Sequence, residues 1–329
     1  LYKRQILLSF IVTNCSLKKV VKHHGVPNLQ VKQEKLFINK SNKNDITILD
    51  IDKQRIKKIN SHRSTIEDAD IEKALLNKKL SLKGTMAADK AYKDAEFIIV
   101  ATPTDYSVEK KSFDTSSVDD AVKSAIESNK DALVVIKSTI PIGHTDHLQS
   151  VLNTDRVIFS PEFLTERTAK LDMLTQSRII LGGELSLTEK AKTLFNEMFK
   201  IKNIIQTDSK TAELTKYMNN TFFATKVSIM NEFKLLSDKI GANWEDALKG
   251  FVSDGRIGDS HLNVPGHDGK LGYGGTCFPK DVNAFLSFSK KHDVELNTIK
   301  GGWNTNLKVR VEKDWEEKEG RSVSFKKTK

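Results

Sequence analysis

Short apolar runs alternate with helical sequence from residue 45 onward, and this alternation limits the fold more than any other feature. Asp45 to Asp50 reads as a buried strand that ends in a carboxylate. Glu96 to Thr102, Ala132 to Lys137 and Val157 to Phe159 read as further strands, and Ile179 to Leu181 as a fifth. Helical sequence separates them, as at Glu67 to Leu80 and Val118 to Asn129. Strands that alternate with helices build a doubly wound parallel sheet, covered on both faces. Residues 1–207 are therefore read as one α/β domain, with 1–44 atypical. From Asp208 the strand signal ends. Lys210 to Ile240 is one long helical stretch without Gly or Pro. Glu245 to Phe251 and Pro279 to Lys291 are also helical, on either side of a glycine-rich loop over 253–276. The tail from Gly301 shows no clear period. Residues 208–329 form a second, helical domain.

The chain has 329 residues, enough for two domains. A mean hydropathy of −0.42 describes an ordinary soluble protein. Ile6 to Val12 is too short to span a bilayer, and no small-residue cleavage site follows it. It reads as a strand or short helix. The two cysteines, Cys15 and Cys277, suggest neither a disulfide framework nor a metal site. A reducing, cytoplasmic setting and no membrane contact are expected. The net charge of +10 could indicate nucleic acid. Residues 1–45 carry +7 of it and residues 308–329 carry +3, which leaves the body neutral. The surplus is read as solvated tails, and no nucleic-acid partner is expected.

Gly272-Tyr-Gly-Gly-Thr-Cys-Phe-Pro-Lys-Asp281 concentrates the chemistry. Gly274 and Gly275 lack a Cβ, so the backbone can turn sharply and a ligand can approach it. Pro279 suits the first turn of a helix. Cys277 is then placed at a helix N-terminus, where the partial positive charge favours a thiolate. Asp281 lies one turn on, on the same face. A poised thiol beside a carboxylate suits covalent catalysis. A buried, inert cysteine is the usual alternative. Five glycines between Gly266 and Gly275 are more than a tight turn needs.

This loop resembles the GxGG-[ST]-CF-x-KD loop around the catalytic cysteine of the nucleotide-sugar dehydrogenases. The resemblance runs from about Asn44 to about Leu286. It implies a Rossmann-like NAD-binding domain followed by a helical dimerisation and substrate domain. Several segments carry it. Asp50 ends a strand where such folds hold the adenosine ribose, and Arg55 would lie near the same ribose. Thr102 and Thr104, in Ala-Thr-Pro-Thr, resemble a strand-end segment that lines the cofactor site. Lys137 to Gly143 resembles the STxPxG loop, whose threonine, here Thr139, helps hold water near the reacting carbon. Ser160 to Glu166 resembles NPEFLxE. The resemblance makes Phe163, Leu164 and Glu166 substrate contacts, Glu162 a catalytic acid, and Glu166 also part of the cofactor site. Glu162 and Glu166 are four apart, and like charges so spaced can raise one pKa.

Lys216 and Asn220 share a helix face. By resemblance they stabilise a developing oxyanion, which an ammonium and an amide can do. Arg256 matches an arginine that reaches the substrate of a neighbouring subunit, and Tyr273 and Gly274 match substrate-binding positions. The long helix is expected to pair with its copy in a homodimer.

Two features depart from the pattern. Counting back from Asp50, the glycines of the phosphate loop should fall at Asn28, Gln30 and Gln33, and none is glycine. The chain is also expected to lack the further α/β domain that covers the uridine diphosphate in typical members. His261, His267 and Lys270 enlarge the loop before the cysteine, and His267 and Lys270 are expected to take over part of the pyrophosphate contact.

The implied reaction is oxidation of UDP-glucose to UDP-glucuronate with NAD. Cys277 would carry a thiohemiacetal and then a thioester. Asp281, Thr139 and Glu162 would manage protons and water. The same residues would serve a sister enzyme acting on GDP-mannose or a UDP-N-acetyl-amino sugar. The missing glycine loop leaves a non-catalytic remnant as the reading from another class.

Overall fold

The computed structural model describes residues 8–11, 19–24, 45–65, 75–76, 81–163, 178–199, 203–317 and 322–324. Asn28, Gln30, Gln33, Leu164 and Glu166, together with most of the helix expected over Glu67 to Leu80, lie outside these residues. The chain divides into two compact units. The first takes in residues up to Thr104 and Asp114–Lys216, and the second Asp105–Phe113 and the residues from Tyr217 onward.

The first unit is built on a nine-stranded sheet. In chain order its strands are β1 (Leu8–Ile11), β2 (Lys19–His24), β3 (Asp45–Asp50), β4 (Leu82–Thr85), β5 (Phe97–Ala101), β8 (Leu133–Ile136), β9 (Val157–Phe159), β10 (Ile179–Gly182) and β11 (Ile204–Thr207). Strands β6 (Asp105–Ser107) and β7 (Ser112–Asp114) form a separate sheet. Across the large sheet the order is β11-β10-β9-β8-β5-β1-β2-β3-β4. The β3–β4, β2–β5, β5–β8, β8–β9 and β10–β11 ladders are parallel. Two departures occur in an otherwise parallel sheet. β1 runs antiparallel to β3, and β10 meets β9 antiparallel through Gly182 and Phe159. Such antiparallel strands are common in large α/β sheets.

Side chains alternate between the two faces of each strand. Ile46, Ile48, Phe97, Ile99, Val135 and Ile158 face one way. They pack on Ile56 and Ile59 of α1 (Lys53–Asn60) and on Leu187, Ala191, Leu194 and Phe195 of α5 (Leu185–Phe199). Leu49, Ile98, Val100, Val134, Ile136 and Phe159 face the other way. Their partners are Tyr92 of α2 (Ala88–Tyr92), Val118, Val122 and Ala125 of α3 (Ser116–Ser128), and Leu148 of α4 (His144–Val151). Each fully buried aliphatic side chain stabilises by about 1.5–3 kcal/mol. The two layers therefore hold the sheet between helices and fix where its strands end.

Helix α6 (Ser209–Ile240) supplies Lys216 to the first unit and continues into the second. The second unit adds α7 (Trp244–Val252), α8 (Cys277–Lys291) and α9 (Asn297–Val309). It also holds a three-stranded sheet in which β12 (Val323–Ser324) pairs in parallel with β6. Helix α9 occurs where the sequence shows no period. Gly301 and Gly302 lower its intrinsic propensity, and packing replaces it. Ser228 of α6 donates to the Gly302 carbonyl at 2.7 Å, so the two helices approach closely there. On α6, Met218, Phe222, Ile229, Phe233, Leu236 and Ile240 form an exposed apolar stripe. Among the described residues, no helix is long and apolar enough to cross a membrane.

Candidate active site

The parallel ladders bring the C-terminal ends of β3, β5, β8 and β9 to one edge of the sheet. Asp50 ends β3 with its side chain fully buried. The Asp52 amide donates to its Oδ1 at 2.6 Å. Its Oδ2 has no hydrogen-bond donor among the described residues, and only the Arg55 guanidinium comes near, at 3.7 Å. Burial pushes the Asp50 pKa up to about 7, against the amide and the guanidinium, which pull it down. A buried acceptor with a free oxygen fits the hydroxyls of a ribose, as a dinucleotide would present them. Next to β5, Ser117 donates to the Thr102 hydroxyl at 3.1 Å, and the Thr102 carbonyl accepts from Ser138 at 2.6 Å. Thr104 donates to the Thr139 carbonyl at 2.7 Å. The strand-end segment and the Lys137–Gly143 loop are thus tied together, with Thr139 between them.

Beyond β9, two lysines hold the Ser160–Phe163 segment. Lys137 reaches the Ser160 carbonyl at 3.2 Å and Oε2 of Glu162 at 3.5 Å. Lys216 donates to the Glu162 carbonyl, and its ammonium lies 5.6 Å from the centre of the Phe163 ring. The Phe163 amide donates to Oε1 of Glu162 at 3.0 Å. The sequence pointed to a carboxylate neighbour for Glu162. That residue, Glu166, lies outside the described residues; among them the Lys137 ammonium lies beside Glu162. Glu213, one turn before Lys216, accepts from the Gly143 and Thr145 amides at 2.5 and 3.0 Å. It therefore fixes the start of α4 against α6. Burial raises the Glu213 pKa, and sequence reasoning did not single this residue out.

In the second unit, Cys277 is the first residue of α8 and is partly exposed. The Thr276 hydroxyl lies 3.6 Å from its sulfur. Asp281 is fully buried. Its Oδ2 accepts from Asn220 at 2.5 Å and its Oδ1 from Lys280 at 3.0 Å. Lys216 and Asn220 share a helix face, as their spacing implied, but each has its own partner. Lys216 holds Glu162 and Asn220 holds Asp281.

The two glycines before the cysteine differ in use. A Cβ on Gly274 would collide with Asp314 and Arg310. The space beside this glycine is therefore filled by the protein's own side chains. Gly275 has φ +79°, and nothing lies near the place of a Cβ. It turns the chain in the left-handed region. Tyr273 is buried among Ala224, Val282, Phe278 and Trp303, and burial raises the pKa of its phenol. Arg256 is exposed and pairs with Asp254 through two contacts, at 2.9 and 2.5 Å. His261 stacks on Phe223 with ring centres 4.2 Å apart, and burial lowers its pKa. Lys270 pairs with Glu312 at 3.4 Å. No group of residues that could hold a metal occurs among the described residues.

Sequence reasoning missed the residues that hold the cysteine loop. These are Asn231, Asn306, Arg310, Asp314 and Ser322. Asn231 sits on the long helix, and the only sequence signal of the other four was polarity within an apparently patternless tail.

Comparison with known proteins agrees with this arrangement. The NAD binding domain of the UDP-glucose/GDP-mannose dehydrogenase family matches residues 34–202, and the central domain of that family matches 210–308. A UDP-glucose 6-dehydrogenase from Campylobacter jejuni is 38% identical over 254 residues, 77% of this chain. One from Streptococcus pneumoniae is 40% identical over 263 residues, 78% of this chain. The chain spans 63% and 65% of the lengths of these two relatives. A solved UDP-glucose dehydrogenase from Pyrobaculum islandicum superposes with a TM-score of 0.73 at 26% identity, over 84% of this chain and 65% of its own. The sheet, the cysteine loop and the two domain matches agree along the chain, which belongs to the UDP-glucose/GDP-mannose dehydrogenase family.

Proposed function

We propose that this protein oxidises the C6 alcohol of UDP-glucose to the carboxylate of UDP-glucuronate. The observation that carries the reading is Cys277 in the first turn of α8, with Asp281 buried one turn on between Asn220 and Lys280. NAD, bound along the sheet edge with its adenosine ribose on Asp50, would accept a hydride in each of two steps. The residues of the chain do the rest. Oxidation of the alcohol to the aldehyde releases one proton, and Glu162, with the Lys137 ammonium 3.5 Å from its Oε2, is the group that takes it. The Cys277 sulfur adds to the aldehyde carbon and forms a thiohemiacetal. Loss of the hydroxyl proton to water and of the second hydride turns this into a thioester. Water then attacks the thioester carbon, and the thiol leaves with the product acid free. Lys216 and Asn220 stabilise the successive oxyanions. Asp281, with Thr139, holds and directs the water.

The substrate is held by Phe163, Leu164, Glu166, Tyr273 and Gly274, with Arg55, Thr102, Thr104 and Glu166 on the cofactor. The exposed stripe on α6 pairs with its copy in a homodimer, and Arg256 reaches the partner's substrate. The protein works in the cytoplasm.

NADH formation with a panel of nucleotide sugars tests the reading. Turnover of UDP-glucose with two NADH per acid is expected. Turnover of GDP-mannose or a UDP-N-acetyl-amino sugar alone assigns a sister reaction. A folded protein that oxidises none of them overturns the enzyme reading.

A further inference from the structure

We propose that Arg310 and Asp314 are positioning residues for Cys277, and that they decide whether the aldehyde is kept for the second oxidation. This rests on the proposed two-step reaction. Arg310 is 3% exposed. Its guanidinium contacts Oδ1 of Asp314 at 3.0 and 3.2 Å, Oδ2 of Asp268 at 2.7 Å and the Leu271 carbonyl at 3.4 Å. Asp314 uses its other oxygen, Oδ2, to accept the Gly275 amide at 3.0 Å. One carboxylate therefore links a buried cation to the backbone just before the nucleophile.

Three further observations support the assignment. Gly274 lies so close to both side chains that a Cβ there would collide with them. Ser322 donates to the carbonyl of the same residue, Gly275, at 3.3 Å. Asn306 accepts the Tyr273 amide at 2.7 Å and donates to the Tyr273 carbonyl at 3.0 Å. The loop from Leu271 to Gly275 is thus fastened at successive backbone groups. Arg310, Asp314 and Ser322 all lie beyond residues 210–308, where the family's central domain matches.

The consequence concerns the second step. Oxidation of the alcohol does not need the thiol. Capture of the aldehyde does, and a small displacement of a reacting atom can cost about 100-fold. A loosened loop would slow capture more than the first hydride transfer, and aldehyde would escape.

Asp314→Ala and Arg310→Lys test this, with Ser322→Ala as a milder change should Asp314→Ala not fold. Semicarbazide trapping and the ratio of NADH to acid are measured together. Trapped aldehyde should rise roughly tenfold over wild type, with more than two NADH per acid. A loss of activity that affects both steps equally, with no trapped aldehyde, would overturn the proposal, because a merely structural role predicts that result. Should the wild type oxidise no nucleotide sugar, the reaction is the part that fails. The positioning role is then judged by the rate at which iodoacetamide alkylates Cys277 in the folded proteins. A clear change in all folded variants supports it, and wild-type rates overturn it.

Discussion

Asn220 donates to Oδ2 of Asp281 at 2.5 Å while Lys280 donates to its Oδ1 at 3.0 Å, so both oxygens of a fully buried carboxylate are engaged. Lys280 is itself buried, with its ammonium 4.7 Å from the centre of the Phe113 ring. Removing the acid would leave a buried, unpaired cation. Asp281→Ala should therefore cost about 3–5 kcal/mol of stability. Asn220→Ala removes one donor and should cost about 1–3 kcal/mol. Urea unfolding of both variants checks the order. Equal costs would mean that the Lys280–Asp281 pair adds nothing beyond one hydrogen bond.

Cys277→Ser should stop the reaction at the aldehyde. A serine alkoxide is harder to form at neutral pH than a thiolate, and its ester is less reactive than a thioester. One NADH per substrate with trappable aldehyde is the expected stoichiometry. Full acid production by the serine variant would exclude a thioester route.

Lys216→Ala should lower kcat by about 10²–10³, the usual cost of losing an oxyanion donor. It also leaves the Glu162 carbonyl without its ammonium donor and the Phe163 ring without its cation. A variant with only a raised KM would make Lys216 a substrate-holding residue. Stopped-flow measurement of the first NADH burst separates the two.

Much of the arrangement was legible in the sequence, for physical reasons. Strands such as Phe97–Ala101 are buried on both faces, so they read as continuous apolar runs. Cys277 and Asp281 were legible because a helix start and a one-turn spacing are local signals. The loop holders were not. Asn306, Arg310 and Asp314 act across 30 or more residues, from a helix whose glycines hide its period and from the residues just after it. The Gly274 contact shows the same limit. The sequence gives the missing Cβ, and only the fold reveals which side chains use the space. The cationic neighbour of Glu162 was equally hidden, because Lys137 meets it through the parallel pairing of β8 and β9.

The apolar stripe on α6 should be covered in solution. Met218, Phe222, Ile229, Phe233, Leu236 and Ile240 recur at spacings of three, four and seven, as on a helix that packs against another. Phe222→Glu with Phe233→Glu should shift the protein from dimer to monomer in sedimentation equilibrium. A wild type that sediments as a monomer at all concentrations would remove the proposed pairing.

Asp50 gives a pH dependence whose sign follows from its burial. Its pKa rises from 3.8 to about 7 on folding, mainly because burial penalises the charge. The folded protein therefore holds this proton more tightly than the unfolded chain does. The stability it contributes is full below about pH 4 and is lost as the pH rises through 7. A shift of this size corresponds to about 4 kcal/mol at roughly 1.4 kcal/mol per unit. Asp50→Asn has no proton to lose there. The stability of wild type relative to Asp50→Asn should fall by about that amount from pH 4 to pH 8. Cofactor binding should show the opposite trend. Ribose hydroxyls donate to a carboxylate, so NADH affinity in fluorescence titration should weaken in the wild type as the pH falls below 7. In Asp50→Asn the affinity should be lower and flatter with pH. An affinity that strengthens toward pH 5 in the wild type would mean that the protonated acid is the binding form. The ribose would then have to accept a hydrogen bond from Asp50 instead of donating one.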